Sequence, residues 1–270
     1  MGRAVKDRAL ELVAARSAAV DGRNLLREYV QSRVLGALQE AGVFRAWAFM
    51  GGTALRFLYG VPRYSEDLDF TLERGDSAGR FGESVTDVVR TLEREGYRLR
   101  ARLNEDTAVA RAVLGFVGLA YEAGLTPHVD EVLWVRLELD TQPPQGAGLE
   151  VSVVNKLGML RVQHHDLPSL FAGKIAAVLA REYTKGRDLY DLAWYLTRGE
   201  RLEPNGVLLR NALLRTAPQL VEDAASGWRL ALRQRLGGVD WSDARRDVEP
   251  FLEEHRDLEL VDAEMFKNLL

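Results

Sequence analysis

The sequence predicts an α/β domain, a mixed sheet with flanking helices, followed by an all-helical C-terminal domain. Three observations carry that expectation. Segments of strand period, Ser65 to Leu72 and Val132 to Asp140, alternate apolar with polar side chains and stand between helical segments. From Pro168 onward every apolar pattern has helical spacing. Between the two regimes lies Pro143-Pro144-Gln145-Gly146-Ala147-Gly148, which reads as a turn or surface loop. The boundary falls between residues 155 and 168, which gives an N-terminal unit over 1–160 and a helical unit over 161–270.

Residues 4–20 and 23–41 read as helices, with Leu10, Val13, Leu25, Leu26, Val30, Val34 and Leu38 on their apolar faces, and Gly42 ends the second. Trp47 to Met50 is a short apolar strand leading into Gly51-Gly52, and Thr53 to Tyr59 is a helix closed by Pro62. Ser65 to Leu72 is a strand, and a loop with Gly75, Gly79 and Gly82 follows it. Residues 83–95 form a helix and Tyr97 to Leu103 a strand. Ala108 to Ala120 favours a strand through Val109, Val113, Phe116 and Val117. Val132 to Asp140 alternates cleanly, and Val151 to Val154 adds a short edge strand. Helices then cover 168–181, 187–197, 204–216, 217–235 and 241–254, with a short terminal piece.

Composition narrows the function. The 270 residues suffice for a substantial core, and an apolar fraction of 47% is that of an ordinary soluble protein. With no cysteine there is no disulfide and no thiolate chemistry, which fits a reducing cytoplasm. No apolar run is long enough to span a bilayer, and Met-Gly-Arg-Ala-Val-Lys-Asp lacks the apolar core of a secretion signal. The expectation is a cytoplasmic protein without a membrane partner. A net charge of −4 excludes a surface that is basic all over, so a nucleic-acid partner must meet a local patch. Arg181, Lys185 and Arg187, then Arg229, Arg233 and Arg235, then Arg245 and Arg246 supply candidates, although a solvated helix face is the simpler account of each.

The most specific pattern is Gly51-Gly52-Thr53-Ala54-Leu55 followed by Ser65-Glu66-Asp67-Leu68-Asp69-Phe70. Glycines at a helix start let backbone approach phosphate oxygens, and the unpaired N–H groups there bind anions. Alternate residues on a strand share a face, so Asp67 and Asp69 point one way while Leu68, Phe70 and Leu72 enter the core. Two carboxylates that close repel each other unless a cation or proton intervenes, and they suit a hard divalent ion. A Gly-Gly pair alone is a turn, and an Asp-x-Asp pair alone is a solvated strand face. Their ordered combination, with Arg63 and Ser65 between them, predicts a nucleotide–metal site.

Phe-Met-Gly-Gly-Thr-Ala-Leu-Arg-Phe (49–57) and Arg-Tyr-Ser-Glu-Asp-Leu-Asp-Phe (63–70) resemble the signature of AbiEii/AbiGii-type nucleotidyltransferase toxins, the group that includes the MenT toxins. Lys174-Ile175-Ala176-Ala177 through Arg187-Asp188-Leu189-Tyr190-Asp191-Leu192 also matches its pattern. The resemblance covers residues 49 to 196 and implies a nucleotidyltransferase-like α/β domain. It also implies Mg2+-dependent transfer of a nucleoside monophosphate from an NTP to an RNA acceptor, the tRNA 3′ end, blocking translation. A separately encoded antitoxin would be the partner.

The catalytic set expected on that basis is Asp67, Asp69, Lys174, Asp188 and Asp191, with Asp67 and Asp69 as metal ligands. Glu138 and Asp140 share a face of a neighbouring strand, and either can serve as a third ligand; Asp140 is the expectation taken forward. Gly51, Gly52 and Thr53 form the phosphate turn, where the wider pattern often has Gly-Ser; threonine still offers a hydroxyl and an N–H. Ser65 either caps the strand entry or contacts a phosphate. Lys174 lies in an otherwise apolar helix beside Phe171, Ile175, Ala176 and Val178, so it either snorkels to water or, as the resemblance implies, meets the β- or γ-phosphate. Asp188 and Asp191 share a helix face, and Arg187 can pair with Asp191 four residues on or contact nucleotide. His164 and His165 read as loop residues, and Trp194, Trp228 and Trp241 as core.

Two other readings stay open on the residues. The same fold can modify a small molecule or a protein hydroxyl; an acidic cleft would favour a cationic small molecule, and a basic surface leading to it would favour RNA. A non-catalytic nucleotide-binding module is the second, and Asp67, Asp69 and Lys174 all being intact weighs against it.

Overall fold

A computed structural model of the chain describes residues 19–73, 80–198 and 202–270, with isolated positions 6, 7, 10, 11 and 13 before them. Most of the expected helix at 4–20, and the loop expected around Gly75 and Gly79, lie outside the described residues. Two compact units divide the chain. The first comprises Met1–Tyr59, Tyr64–Pro143 and Val151–His164; the second comprises Gly60–Arg63, Pro144–Glu150 and His165–Leu270.

The first unit is built on a mixed sheet of seven strands: β1 (Trp47–Met50), β2 (Asp67–Leu72), β3 (Leu99–Asn104), β4 (Val109–Val117), β5 (Val132–Asp140), β6 (Leu149–Asn155) and β7 (Met159–His165). Their order is β3-β4-β5-β2-β1-β7-β6. β2 runs antiparallel to β1 and parallel to β5, so the carboxylate strand lies inside the sheet and not at an edge. Helices α1 (Ala19–Glu40) and α3 (Phe81–Arg94) pack on one another, and α2 (Gly51–Tyr59) follows β1 directly. Leu26, Val30, Val34 and Leu38 of α1 are buried with Phe49, Leu68, Phe70, Val88, Leu137 and Leu139, the core that the two periodicities predict. Phe70 sits among Phe44, Trp47 and Phe49 with ring centroids 5.4–6.2 Å away.

β7 was not expected. Leu160, Val162 and His164 alternate inward along it, and His164 takes a core position where its Nε2 lies 2.9 Å from Ser152 Oγ. Both histidines are buried at the end of a strand, and the loop assignment fails because a hydrogen-bonded imidazole fills an apolar place in the alternation.

The second unit is helical: α5 (Leu167–Ala180), α6 (Gly186–Leu196), α7 (Gly206–Thr216), α8 (Val221–Leu236), α9 (Trp241–Val248) and α10 (Ala263–Leu269), α4 being a single turn at Leu119–Glu122 in the first unit. Asp166 caps α5 by accepting from the Ser169 N–H, with a proline in the first turn. Phe171 stacks on Tyr195 at 4.6 Å, and Trp228 meets Phe171 edge-on at 5.3 Å. Among the described residues no helix is long and apolar enough to cross a membrane.

Candidate functional site

Asp67 and Asp69 are half-exposed on β2, while Leu68 and Phe70 between and beyond them are buried. Gly51 opens α2 in the left-handed region, φ +77°. A Cβ built there would overlap Asp69 Oδ2 and lie 3.0 Å from its Cγ. The glycine thus makes room for the carboxylate at the helix start, beside backbone N–H groups that have no partner within the helix. Thr53 is fully buried, and its hydroxyl donates to the backbone carbonyl of Asp67. That corrects the expectation of a phosphate-binding hydroxyl: the side chain ties α2 to the start of β2. The Ser65 carbonyl accepts from Gln31 Nε2 at 3.0 Å, which anchors the approach to β2 on α1.

The neighbouring strand sets the choice of a third carboxylate. In the parallel register Asp67 lies opposite Arg136, Asp69 opposite Glu138, and Thr71 opposite Asp140. Arg136 Nη1 is 3.5 Å from Asp67 Oδ1, and Glu138 accepts from Arg111 Nε at 3.1 Å. Asp140 Oδ1 caps the backbone N–H of Gln142. Among the described residues no three Asp, Glu or His side chains converge as a metal-binding group, so the structure does not bring Asp140 to the pair. Two strand carboxylates still fit magnesium, which takes one or two protein carboxylates and completes its shell with phosphate oxygens and water.

In the second unit a buried ionic cluster joins α5, α6 and the segment that ends at Arg63. Lys174 Nζ lies 2.7 Å from Asp188 Oδ1 and 2.8 Å from Asp191 Oδ2. Arg63 grips Asp191 with Nε, 2.6 Å from Oδ1, and with Nη2 on Oδ2. Arg181 pairs with Asp188. The three-residue spacing of Asp188 and Asp191 puts both on one helix face, and that face meets Lys174. Lys174 does not snorkel; its side chain is 11% exposed. Arg187 is not the partner of Asp191. Its guanidinium lies 4.3 Å from the Phe251 ring centroid, and its N–H is 3.4 Å from Asp247 Oδ2.

Burial raises the Asp191 carboxyl, but Arg63 and then Lys174 outweigh it and hold the group below the ordinary aspartate value. Burial lowers the Lys174 ammonium, and Asp191 only partly restores it.

Sequence reasoning missed the Arg63–Asp191 pair and the ion pairs of buried Glu28 with Arg56, at 2.6 Å, and with Lys156, at 2.8 Å. A glutamate on the apolar face of α1 was the available signal for the latter.

A model of the AbiEii nucleotidyl transferase toxins of type IV toxin–antitoxin systems matches residues 33–263. The chain belongs to the AbiEii family. It is therefore a nucleotidyltransferase, and the family implies an NTP substrate and a cognate antitoxin. Among solved structures it is similar to MenT4, a nucleotidyltransferase toxin from Mycobacterium tuberculosis, with 18% identity, 98% of each chain covered and a TM-score of 0.52. It is also similar to JHP933 from Helicobacter pylori, at 18% identity over 91% of this chain and 94% of that one, with a TM-score of 0.48. At that identity the first likeness speaks for the fold, a mixed sheet with flanking helices and a helical C-terminal region. No curated protein matches the chain.

Proposed function

We propose that this AbiEii protein transfers a nucleoside monophosphate from an NTP to an RNA hydroxyl, at the tRNA 3′ end, in the cytoplasm, and so blocks translation. The observation that carries the reading is the pairing of Asp67 and Asp69 on the half-exposed side of β2, with Asp69 seated against Gly51 at the start of α2. Magnesium held there would neutralise triphosphate charge and polarise the α-phosphate. In the reaction the acceptor oxygen bonds to the α-phosphorus, the bond from that phosphorus to the bridging oxygen of pyrophosphate breaks, and the hydroxyl proton is released.

The residues then divide the work. Asp67 and Asp69 present oxygen donors from one strand face. Gly51, Gly52 and the Thr53 backbone offer N–H groups to phosphate. Lys174 supplies positive charge to the β- or γ-phosphate, and Asp188 and Asp191 orient its ammonium. Arg181 and Arg63 balance those two carboxylates, so Lys174 keeps a net positive charge for an anion. The choice of RNA rests on the sequence resemblance.

The test is label transfer. The protein, magnesium and each α-labelled NTP are incubated with total bacterial RNA, alongside Asp69→Ala. Label in tRNA-sized RNA that depends on Asp69 is the expected result and names the nucleotide. Label on protein or a small molecule would move the acceptor, and no label anywhere would overturn the reading.

A further inference from the structure

The face of the sheet that carries Asp67 and Asp69 continues across three more strands. Residues directly opposite one another in a sheet share a face. Asp69 lies opposite Glu138, Glu138 opposite Arg111, and Arg111 opposite Asn104. The next row runs Asp67, Arg136, Val113, Arg102, and the one after it Trp134, Gly115, Arg100. These rows of one continuous face therefore hold three carboxylates, four exposed arginines and a tryptophan. On β3, β4 and β5 that face carries Arg100, Arg102, Arg111 and Arg136 against Glu138 and, one row further, Asp140, a local positive surplus on a chain whose net charge is −4.

Trp134 is the second unusual feature. Its strand neighbours Leu133 and Val135 are buried, yet the indole is 40% exposed on the other side. A Cβ on Gly115 would sit 2.9 Å from its Cε3, so the ring lies over the glycine of the adjoining strand. The Arg102 Cζ is 6.0 Å from the ring centroid. A lone exposed tryptophan needs no explanation, and a row of arginines can be a solvated face. A stacking surface interleaved with guanidinium groups is the chemistry that binds single-stranded nucleic acid: bases stack on aromatic faces and phosphates meet the cations. Two residues along β5 from Trp134 is Arg136, the partner of Asp67, which puts the Trp134 backbone about 7 Å along the strand and one strand spacing, about 5 Å, across from that of Asp67. Glu138 sits on this face too, with its charge met by Arg111.

We propose that the open face of β3, β4 and β5 is the platform for the single-stranded end of the acceptor RNA. Trp134 stacks one base, and Arg100, Arg102 and Arg111 contact phosphates. The proposal rests on the RNA-acceptor reading and adds where that acceptor lies.

The test uses the full chain and a fluorescein-labelled single-stranded oligoribonucleotide, with anisotropy followed over a salt series. Trp134→Ala should weaken binding roughly tenfold or more, and Trp134→Phe should recover most of it. The double variant Arg100→Gln with Arg102→Gln should lower the slope of log affinity against log salt by about two. Thermal unfolding of each variant checks the fold, and the solvent-facing side chains should leave the midpoint near wild type. If wild type binds while every variant keeps its affinity and slope, the platform is overturned and the RNA reading stands. Wild type that neither binds the oligonucleotide nor labels RNA overturns both. A Trp134→Ala protein with unchanged oligonucleotide affinity but a raised KM for NTP assigns the indole to the incoming base and also overturns the platform.

Discussion

Gly51 and Asp69 occupy space that only one of them can extend into: a side chain on the glycine would displace the carboxylate. The glycine also has φ +77°, where an L-residue is strained. Gly51→Ala should therefore lower transfer by about a hundredfold, as expected when a reacting group moves by an ångström or so. Its stability should fall by only about 1–2 kcal/mol. Initial rates of label transfer and thermal unfolding, measured on one preparation, check both. A variant with wild-type rate would remove the claim that Asp69 must sit against the helix start.

Thr53 tells a different story from its neighbour. Its hydroxyl is buried and donates to the Asp67 carbonyl. Thr53→Val keeps the shape and removes the donor, so it should cost about 1–3 kcal/mol in urea unfolding. Thr53→Ser should recover most of that. The KM for NTP should change little in either variant. A raised KM at unchanged stability would return the hydroxyl to phosphate binding.

These two positions show where the sequence was legible. The period-2 alternation of Asp67 to Leu72 and of Val132 to Asp140 placed both strands and their carboxylate faces, because burial of one side dictates the pattern. The Asp188–Asp191 spacing placed both groups on one helix face, and only the packing of α5 on α6 shows that Lys174 lies against it. Spacing says nothing about which strand lies beside which, or in what register. So the register that sets Glu138 beside Asp69 and Asp140 beside Thr71 could not be read, and the row of Trp134, Gly115 and Arg100 stayed invisible until the pairing of β3, β4 and β5 was known. The Arg63–Asp191 pair joins residues far apart in the chain, and no local rule links them. The motif showed Arg63 preceding the carboxylates, yet its guanidinium is spent in the helical unit.

Asp191 should make the helical unit acid-sensitive. Its folded pKa lies below the ordinary 3.8. Between the two values the unfolded chain holds the proton that the folded chain lacks, so stability rises with pH across that interval. The contribution is fully present above the ordinary value and is lost as pH falls through the folded one. Urea unfolding of the wild type should weaken between neutral pH and about pH 3, and Asp191→Asn should weaken less over the same range. Parallel losses in the two proteins would show that other carboxylates govern acid unfolding.

Lys174 separates stability from chemistry. Three cations, Arg63, Lys174 and Arg181, surround Asp188 and Asp191. Lys174→Met leaves each carboxylate with its own arginine and removes the surplus buried charge. The lost hydrogen bonds and the relieved desolvation oppose each other, so unfolding free energy should change by no more than about 2 kcal/mol. Arg63→Met strips Asp191 of its bidentate partner and leaves it sharing Lys174 with Asp188. That should cost about 3–5 kcal/mol, and Arg63→Lys should not restore it, because a single ammonium cannot span both oxygens. Kinetics should order the variants the other way: Lys174→Met raises the KM for NTP or lowers turnover while the protein stays folded. Unfolding and initial rates measured side by side decide the matter. If Lys174→Met destabilises as much as Arg63→Met while its folded fraction keeps wild-type kinetics, the lysine is a structural counterion and its role in triphosphate binding fails.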